Sequence, residues 1–347
     1  MALVTHSPYD INGVIDVTRA IQNIDPQFGL IINSGLFNET PLSTDTFIFD
    51  KMDTHYALIP KSSRRDGVPT KSTRPLYKPF TLTLAYRHHV DHITPHDLQG
   101  VRQFDSFTNA EQLMPVVNRK LTKLRAQMEQ TQEFLALGAV MGKVVDPDGD
   151  TLIDMFDTFG ITQTVQSFDL STPATNVQEK IRTLLFTANR ALRTGQVPKG
   201  MTVWCADDFF NALVVHPTIV QAYTYYISQP NLLRDGTTEF GAAGVSNSFR
   251  FGNVLFRTYP SYFRLGDDTI QEAIPAGTAW AVLDGVDDLF RSFYGPANTL
   301  MGANKAGEQM FATQYTDPRG KFIDLEVEGS SAYICTQPQT LIKLTMD

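Results

Sequence analysis

The stretch NAEQLMPVVNRKLTKLRAQMEQTQEFLALGAVMG, from Asn109 to Gly142, decides how this chain is read. Leu113, Val117, Leu121, Leu124, Met128, Leu135 and Ala139 mark one apolar stripe along a helix, broken by a polar turn around Thr131. At 1.5 Å per residue, these 34 residues would span roughly 50 Å. Asn109 with Gln112 has the form of an N-cap and capping box, and Gly142 ahead of Val144 and Val145 has the form of a C-terminal stop. Pro115 sits one turn in, so the continuous helix is expected from near Val116, with the first turn as a separate short helix. A helix this long in a mixed α/β chain reads as a strut; an ordinary core helix fits the same periodicity.

The 347 residues suffice for two compact lobes or one elaborated domain. With 42% apolar and 19% charged residues, the chain is neither disordered nor a membrane protein by composition. Its 23 Phe and 12 Tyr against two Trp favour a strand-rich chain. No window approaches the apolar length of a transmembrane helix, and the N-terminus lacks a basic segment followed by an apolar one, so folding in a cytoplasm is expected. Cys205 and Cys335 lie far apart without metal-like spacing, which suits two buried thiols in a reducing compartment. A net charge of −8 argues against gripping nucleic acid through a general basic field.

Residues 1–43 carry short apolar groups and a helix expected around Val17 to Ile24, too little for a domain. They read as an arm lying on something else, another subunit among the candidates. From Thr44 three strand-like segments follow, TDTFIFDKM, HYALIP and PFTLTLAYRHHV. Between the second and third, Lys61 to Lys78 holds six Lys or Arg against one Asp, a local charge of +5. Its functional reading is the charged tip of a two-stranded projection that meets an acidic surface; its plain reading is a solvated loop. His88, His89, His92 and His96, with Asp91 and Asp97, form the densest group of metal-type ligands, but their spacing matches no helical zinc pattern. Polar residues at a strand-to-helix junction account for them.

KVVDPDGDTLIDMF reads as a hairpin turning at Pro147-Asp148-Gly149-Asp150. As a calcium loop it fails, with Thr151 where the sharp turn needs Gly and Asp157 where a Glu closes the shell. A second amphipathic helix is expected over 173–194, closed by Gly195, then a buried strand, MTVWCA. A helix capped by Asp207 or Asp208 and interrupted at Pro217 follows. Asn231 to Ser248 reads as an exposed loop, and strands return at FRFGNVLFRTYP and GTAWAVLDG. Past residue 300, FIDLEVEG, AYICTQ and LIKLTM read as strands separated by turns at Asp317-Pro318 and Gly329, pairing with a sheet beside the long helix. No phosphate-binding glycine loop, nucleophile elbow, HExxH or CxxC occurs, so no cofactor, metal or catalytic residue is assigned.

The order of these parts resembles the Hong Kong 97-type fold of tailed-phage major capsid proteins and, more specifically, the lambda-type family called capsid protein E. GVPTKSTRPLYKPFTLTLAYR is similar to the descending side of the family's extended loop, and RKLTKLRAQMEQTQEFLALGAVMGKVV to its spine helix and the Gly142-Lys143 step. TVWCADDFFNAL and TDPRGKFIDLEVEGSSAYICTQPQTLIKL also resemble the family. The resemblance implies an α+β chain with an N-terminal arm (1–43), an extended loop (44–92) and a peripheral domain with spine helix and hairpin (93–160). It further implies an axial domain (161–300) and C-terminal strands (301–347) returning to the peripheral sheet. It implies a structural protein and not an enzyme, assembling with itself as hexamers and pentamers into an icosahedral shell around double-stranded DNA. Expected partners are a scaffolding protein, a portal and a decoration protein; the shell is built in the bacterial host cytoplasm and ends as the virion head, with no membrane involved. An encapsulin-like compartment shell is the alternative on the same fold, and a metal enzyme using the histidines a distant one.

Simple physics agrees. An extended loop buries too little to offset its ordering entropy and gains order by lying on a neighbour, where Lys61, Arg64, Arg65, Lys71, Arg74 and Lys78 would meet carboxylates. An acidic chain also suits a DNA container, because a strongly basic wall would hold the genome by many phosphate contacts.

Overall fold

The computed structural model describes residues 14–26, 28–52, 77–98, 113–192, 196–227, 240–241, 244–245, 248–259, 262–265, 269–300 and 302–347. The long helix runs unbroken over Leu113–Met141, 29 residues and about 43 Å. Pro115 does not split it, contrary to expectation. The first amides of a helix have no acceptor within it, so a ring nitrogen there forfeits no bond. Gly142 ends the helix at φ +87°, its amide donating to the Ala139 carbonyl at 3.2 Å. The expected cap at Asn109 and Gln112 lies outside the described residues.

The helix packs on a six-stranded sheet organised by one long strand, Ile323–Cys335. Its first half pairs with Phe311–Thr316 on one side and Ala85–Ile93 on the other, and its end pairs with Phe290–Tyr294. Val14–Asp16 and Phe37–Pro41 complete the sheet. Alternation along the long strand turns Leu325 and Val327 inward, against Leu121, Leu124 and Met128 of the helix. The turn expected at Gly329 is absent. The strand runs straight through it, and a Cβ there would lie 3.0 Å from the Gln309 carbonyl oxygen, so glycine serves a backbone crossing.

A second six-stranded sheet has the order Ser248–Phe251, Val254–Thr258, Gly200–Cys205, Thr278–Asp284, Ile342–Thr345, Thr164–Ser167. Gly200–Cys205 and Val254–Thr258 are parallel, joined through Asp207–Val215 and Pro217–Ile227. These two helices and Val177–Ala191 contribute Phe209, Leu213, Ile219, Ile181 and Leu184 to the core that holds Val203 and Phe256. Asn176 caps the Val177 helix, accepting from the Glu179 amide at 3.3 Å; Gly195 lies outside the described residues. Ala206, and neither Asp207 nor Asp208, is the N-cap of the next helix; the two aspartates stand in its first turn, where its dipole favours them.

Three further differences appear. The segment PFTLTLAYRHHV breaks at Leu84, so that Tyr77–Thr83 pairs with Thr46–Met52 while Ala85–Ile93 joins the first sheet. The last strand, Ile342–Thr345, lies between Thr278–Asp284 and Thr164–Ser167 in the second sheet, instead of returning to the sheet beside the long helix. In the expected loop at 231–248, Phe240–Gly241 pairs with Gly244–Val245. Cys205 and Cys335 are free and buried, and burial pushes the Cys335 thiol up to about 12.

The described part of the expected arm lies on its own subunit. Val14–Asp16 pairs with Phe311–Thr316, the short helix Thr18–Gln22 buries Ile21, and Phe37–Pro41 pairs in parallel with Phe290–Tyr294. Among the described residues no helix is long and apolar enough to cross a membrane.

Candidate assembly surfaces

Thr46–Met52 and Tyr77–Thr83 form an antiparallel hairpin in the register Phe47↔Leu82 to Met52↔Tyr77. Strand alternation gives it two unlike faces. On one, Phe47 stacks on Phe293 with ring centroids 4.2 Å apart, and Phe80 meets Phe159 at 5.4 Å. On the other, Ile48 is 67% exposed. At the root Leu84 is buried and its amide donates to the Asp45 carbonyl at 2.9 Å. The hairpin is thus rooted in its own subunit by one aromatic residue from each strand, Phe47 and Phe80, on the same face.

Residues 53–76, which include Lys61, Arg64, Arg65, Lys71 and Arg74 as well as the HYALIP segment, lie outside the described residues. Lys78 is on the Tyr77–Thr83 strand, opposite Lys51 in register.

Ala85–Ile93 divides its histidines between two faces. His89 Nε2 is 3.0 Å from Gln127 Oε1 and Asp91 accepts from Lys120 Nζ at 3.0 Å, both reaching the long helix. Facing the other way, His92 Nδ1 lies 2.5 Å from Asp324, His88 3.6 Å from Glu326, and the Tyr86 hydroxyl donates to Glu328 at 2.7 Å. His96 sits beyond, in the short turn Pro95–Asp97, where the Thr94 amide donating to Asp97 holds that carboxyl below the usual range. Among the described residues no three His, Cys, Asp or Glu side chains come together as a metal site. The hairpin Lys143–Val145/Thr151–Asp154 likewise spends Asp146 on Arg87, 2.5 Å away, which ties the turn to the first sheet.

The least expected feature is a group of buried polar side chains on the long helix. Arg125, Glu129, Gln132 and Glu133 are all at most 9% exposed. Arg125 Nε donates to Glu129 at 2.5 Å and its Nη1 donates to the Ile21 carbonyl. Gln132 and Gln309 bond reciprocally, Gln132 Nε2 to the Gln309 carbonyl at 2.9 Å and Gln309 Nε2 to Gln132 Oε1 at 2.8 Å. Glu133 accepts from the amides of Ile31 at 2.6 Å and Ile32 at 3.1 Å and from the Tyr259 hydroxyl at 2.9 Å. Burial raises the Glu133 carboxyl above its ordinary range, the amide donors pulling the other way, and burial with the adjacent carboxylate raises the Tyr259 phenol. Their spacing of four, seven and eight residues puts all four on the buried side, a signal in the sequence that the polar turn around Thr131 only touches.

A long helix laid on an open sheet, a hairpin rooted beside it and an α/β lobe that receives the last strand are the architecture of Hong Kong 97-type shell subunits. A prophage protein of E. coli CFT073, described as a capsid protein, superposes with a TM-score of 0.58 at 11% identity, covering 96% of this chain and 99% of that one. The capsid protein of Myoviridae phage XM1 superposes with a TM-score of 0.50 at 10% identity, covering 94% and 95%. The family described as phage major capsid protein E matches residues 13–346, and the chain belongs to that family. The major capsid protein of Pseudomonas phage KPP10 is 31% identical over 338 residues, which cover 94% of this chain and 95% of that protein. The chain is accordingly a structural component of a tailed-phage head.

Proposed function

We propose that the chain assembles with itself as hexamers and pentamers into an icosahedral shell that encloses double-stranded DNA, without sequence-specific DNA binding. The family match across residues 13–346 carries this reading. The hairpin supports it: aromatic anchors fix its base to one subunit, and the basic stretch Lys61–Lys78 would carry the contacts with a neighbour. Assembly in the host cytoplasm with a scaffolding protein and a portal, and later addition of a decoration protein, complete the proposal. No enzymatic step is assigned to the chain. The encapsulin-like alternative shares the fold, but the sequence relatives are phage head proteins.

Negative-stain electron microscopy with sedimentation, on protein made in bacteria, tests the reading. Closed polyhedral shells or discrete hexamers and pentamers support it. A small monodisperse oligomer that persists when a scaffolding protein is supplied overturns it. Reversing Arg64, Arg65 and Arg74 to Glu together is expected to leave a soluble, folded subunit that forms no shells; normal shells from that variant remove the role given to the basic stretch.

A further inference from the structure

The long helix serves two cores in succession. Val116, Val117, Leu121, Leu124 and Met128 pack with Ile21, Ile93, Leu325 and Val327, whereas Leu135, Ala136, Leu137, Ala139 and Val140 belong to the core that holds Val203, Phe256 and Phe290. Between the two sets the helix buries Glu129, Gln132 and Glu133. Buried polar groups are costly unless donors are fixed around them. Here the donors come from distant parts of the chain: the N-terminal stretch, the Tyr259 end of Val254–Thr258, and Gln309.

Between its two paired ends, Val14–Asp16 and Phe37–Pro41, the N-terminal stretch buries few side chains fully, although Val17, Ile24, Leu30 and Ile32 pack partly buried against the cores. Of its described residues from Val17 to Gly35, only Thr18, Ile21, Gly29 and Ile31 are buried. Val17 and Thr18 bond the backbone of Ala312 and Gln22 donates to Glu308, while the stretch's polar attachments to the long helix lie at its two short helical turns. Arg125 reaches the Ile21 carbonyl in Thr18–Gln22, and Glu133 takes the Ile31 and Ile32 amides at the start of Ile32–Ser34. Segments with so few apolar anchors open locally at lower free energy than central strands.

We propose that the N-terminal stretch is a releasable strap on the long helix, clamped by Arg125 and Glu133, and that Glu133 couples its release to the Tyr259 end of the second sheet. The coupling has a direct physical basis, because the Ile31 amide and the Tyr259 hydroxyl donate to the same carboxylate oxygen, Oε1. With both in place the buried charge is satisfied. Removing either leaves it short of a donor in the closed state only, since water supplies the loss once the strap lifts. This is a property of the folded subunit and does not depend on the shell reading.

Hydrogen exchange read by mass spectrometry on the full-length protein tests it. Tyr259→Phe keeps the ring against Trp204 and Phe263 and removes only the hydroxyl. Exchange at Ile31–Ser34 is expected to speed up about tenfold or more, the equivalent of one hydrogen bond to a charged group, while Val116–Met128 stays unchanged. Glu133→Gln is expected to speed exchange at Ile31–Ser34 and beside Tyr259 together. A change confined to Val254–Thr258 in the first variant, a uniform rise across all segments, or movement of only one site in the second would overturn the proposal.

Discussion

Gly142→Ala probes the junction of the long helix with the hairpin that follows it. The residue sits at φ +87°, and a Cβ built there would fall 2.3 Å from Phe156 Cε2 and 2.7 Å from Cζ. Two penalties therefore add. A left-handed conformation costs a residue with a Cβ roughly 1–2 kcal/mol, and forcing a methyl into a packed ring costs typically about 1–3 kcal/mol. Phe156 has little freedom to retreat, because its helix, Met155–Phe159, is pinned by Asp154, whose carboxylate accepts from the Phe156 and Asp157 amides at 3.1 Å. The expected loss is about 2–5 kcal/mol. Gly149 supplies an internal control: its φ of +93° is equally left-handed, but nothing lies within 4 Å of its would-be Cβ, so Gly149→Ala incurs only the first penalty. Urea denaturation of the unassembled subunit, followed by circular dichroism, reads both. The two variants should differ by about 1–3 kcal/mol, and the excess at Gly142 should vanish in a Phe156→Ala background. Equal losses at the two glycines, or an excess that survives removal of the Phe156 ring, would refute the steric account.

Two more outcomes follow from the buried polar group. Arg125→Leu removes the 2.5 Å donor to the buried Glu129 and one donor to the Ile21 carbonyl; the subunit should lose about 3–5 kcal/mol in the same urea assay, and replacing Arg125 and Glu129 together by apolar residues should cost less. Glu133 sets a pH dependence of definite sign. Because burial raises its carboxyl above the ordinary 4.5, the folded subunit holds this proton more tightly than the unfolded chain does. Its contribution is fully present below the ordinary value and is lost as pH rises through the raised one. The groups facing it are Tyr259, which donates to it, and Tyr333 on Ile323–Cys335, with Glu129 held by Arg125 a turn away. The urea-midpoint difference between wild type and Glu133→Gln should accordingly shift toward the Gln variant as pH increases across that window, on top of the pH-independent loss of its strap contacts; a constant difference would contradict the assignment.

Much of the fold was legible because it is local. The long helix, the Asp146–Asp150 turn and the buried strand at MTVWCA follow from periodicity and turn chemistry that a few neighbouring residues express. The errors share a different cause. Pro115, Gly329 and the last strand are read from residue type and chain order, but the outcome depends on position within a helix, on a crossing backbone, and on which of two sheets takes the strand between two others. The sparse arm reads as lying on something else. What it lies on, at least from Val14 to Pro41, is its own subunit, through pairings with Tyr315 and Phe290 some 250 to 300 residues away. Of the candidate contacts, only Lys78 falls on a described strand.

By itself, the sequence determined most of the elements and the family, since these rest on short-range pattern and on the order of segments along the chain. Only the tertiary structure decided that the histidines of Ala85–Ile93 divide between two faces, that Ile342–Thr345 completes the second sheet, and that Glu133 gathers Ile31, Ile32 and Tyr259 around one carboxylate. A buried charge is tolerated only where donors from remote parts of the chain converge on it, and convergence is a property of the folded chain that no local pattern records.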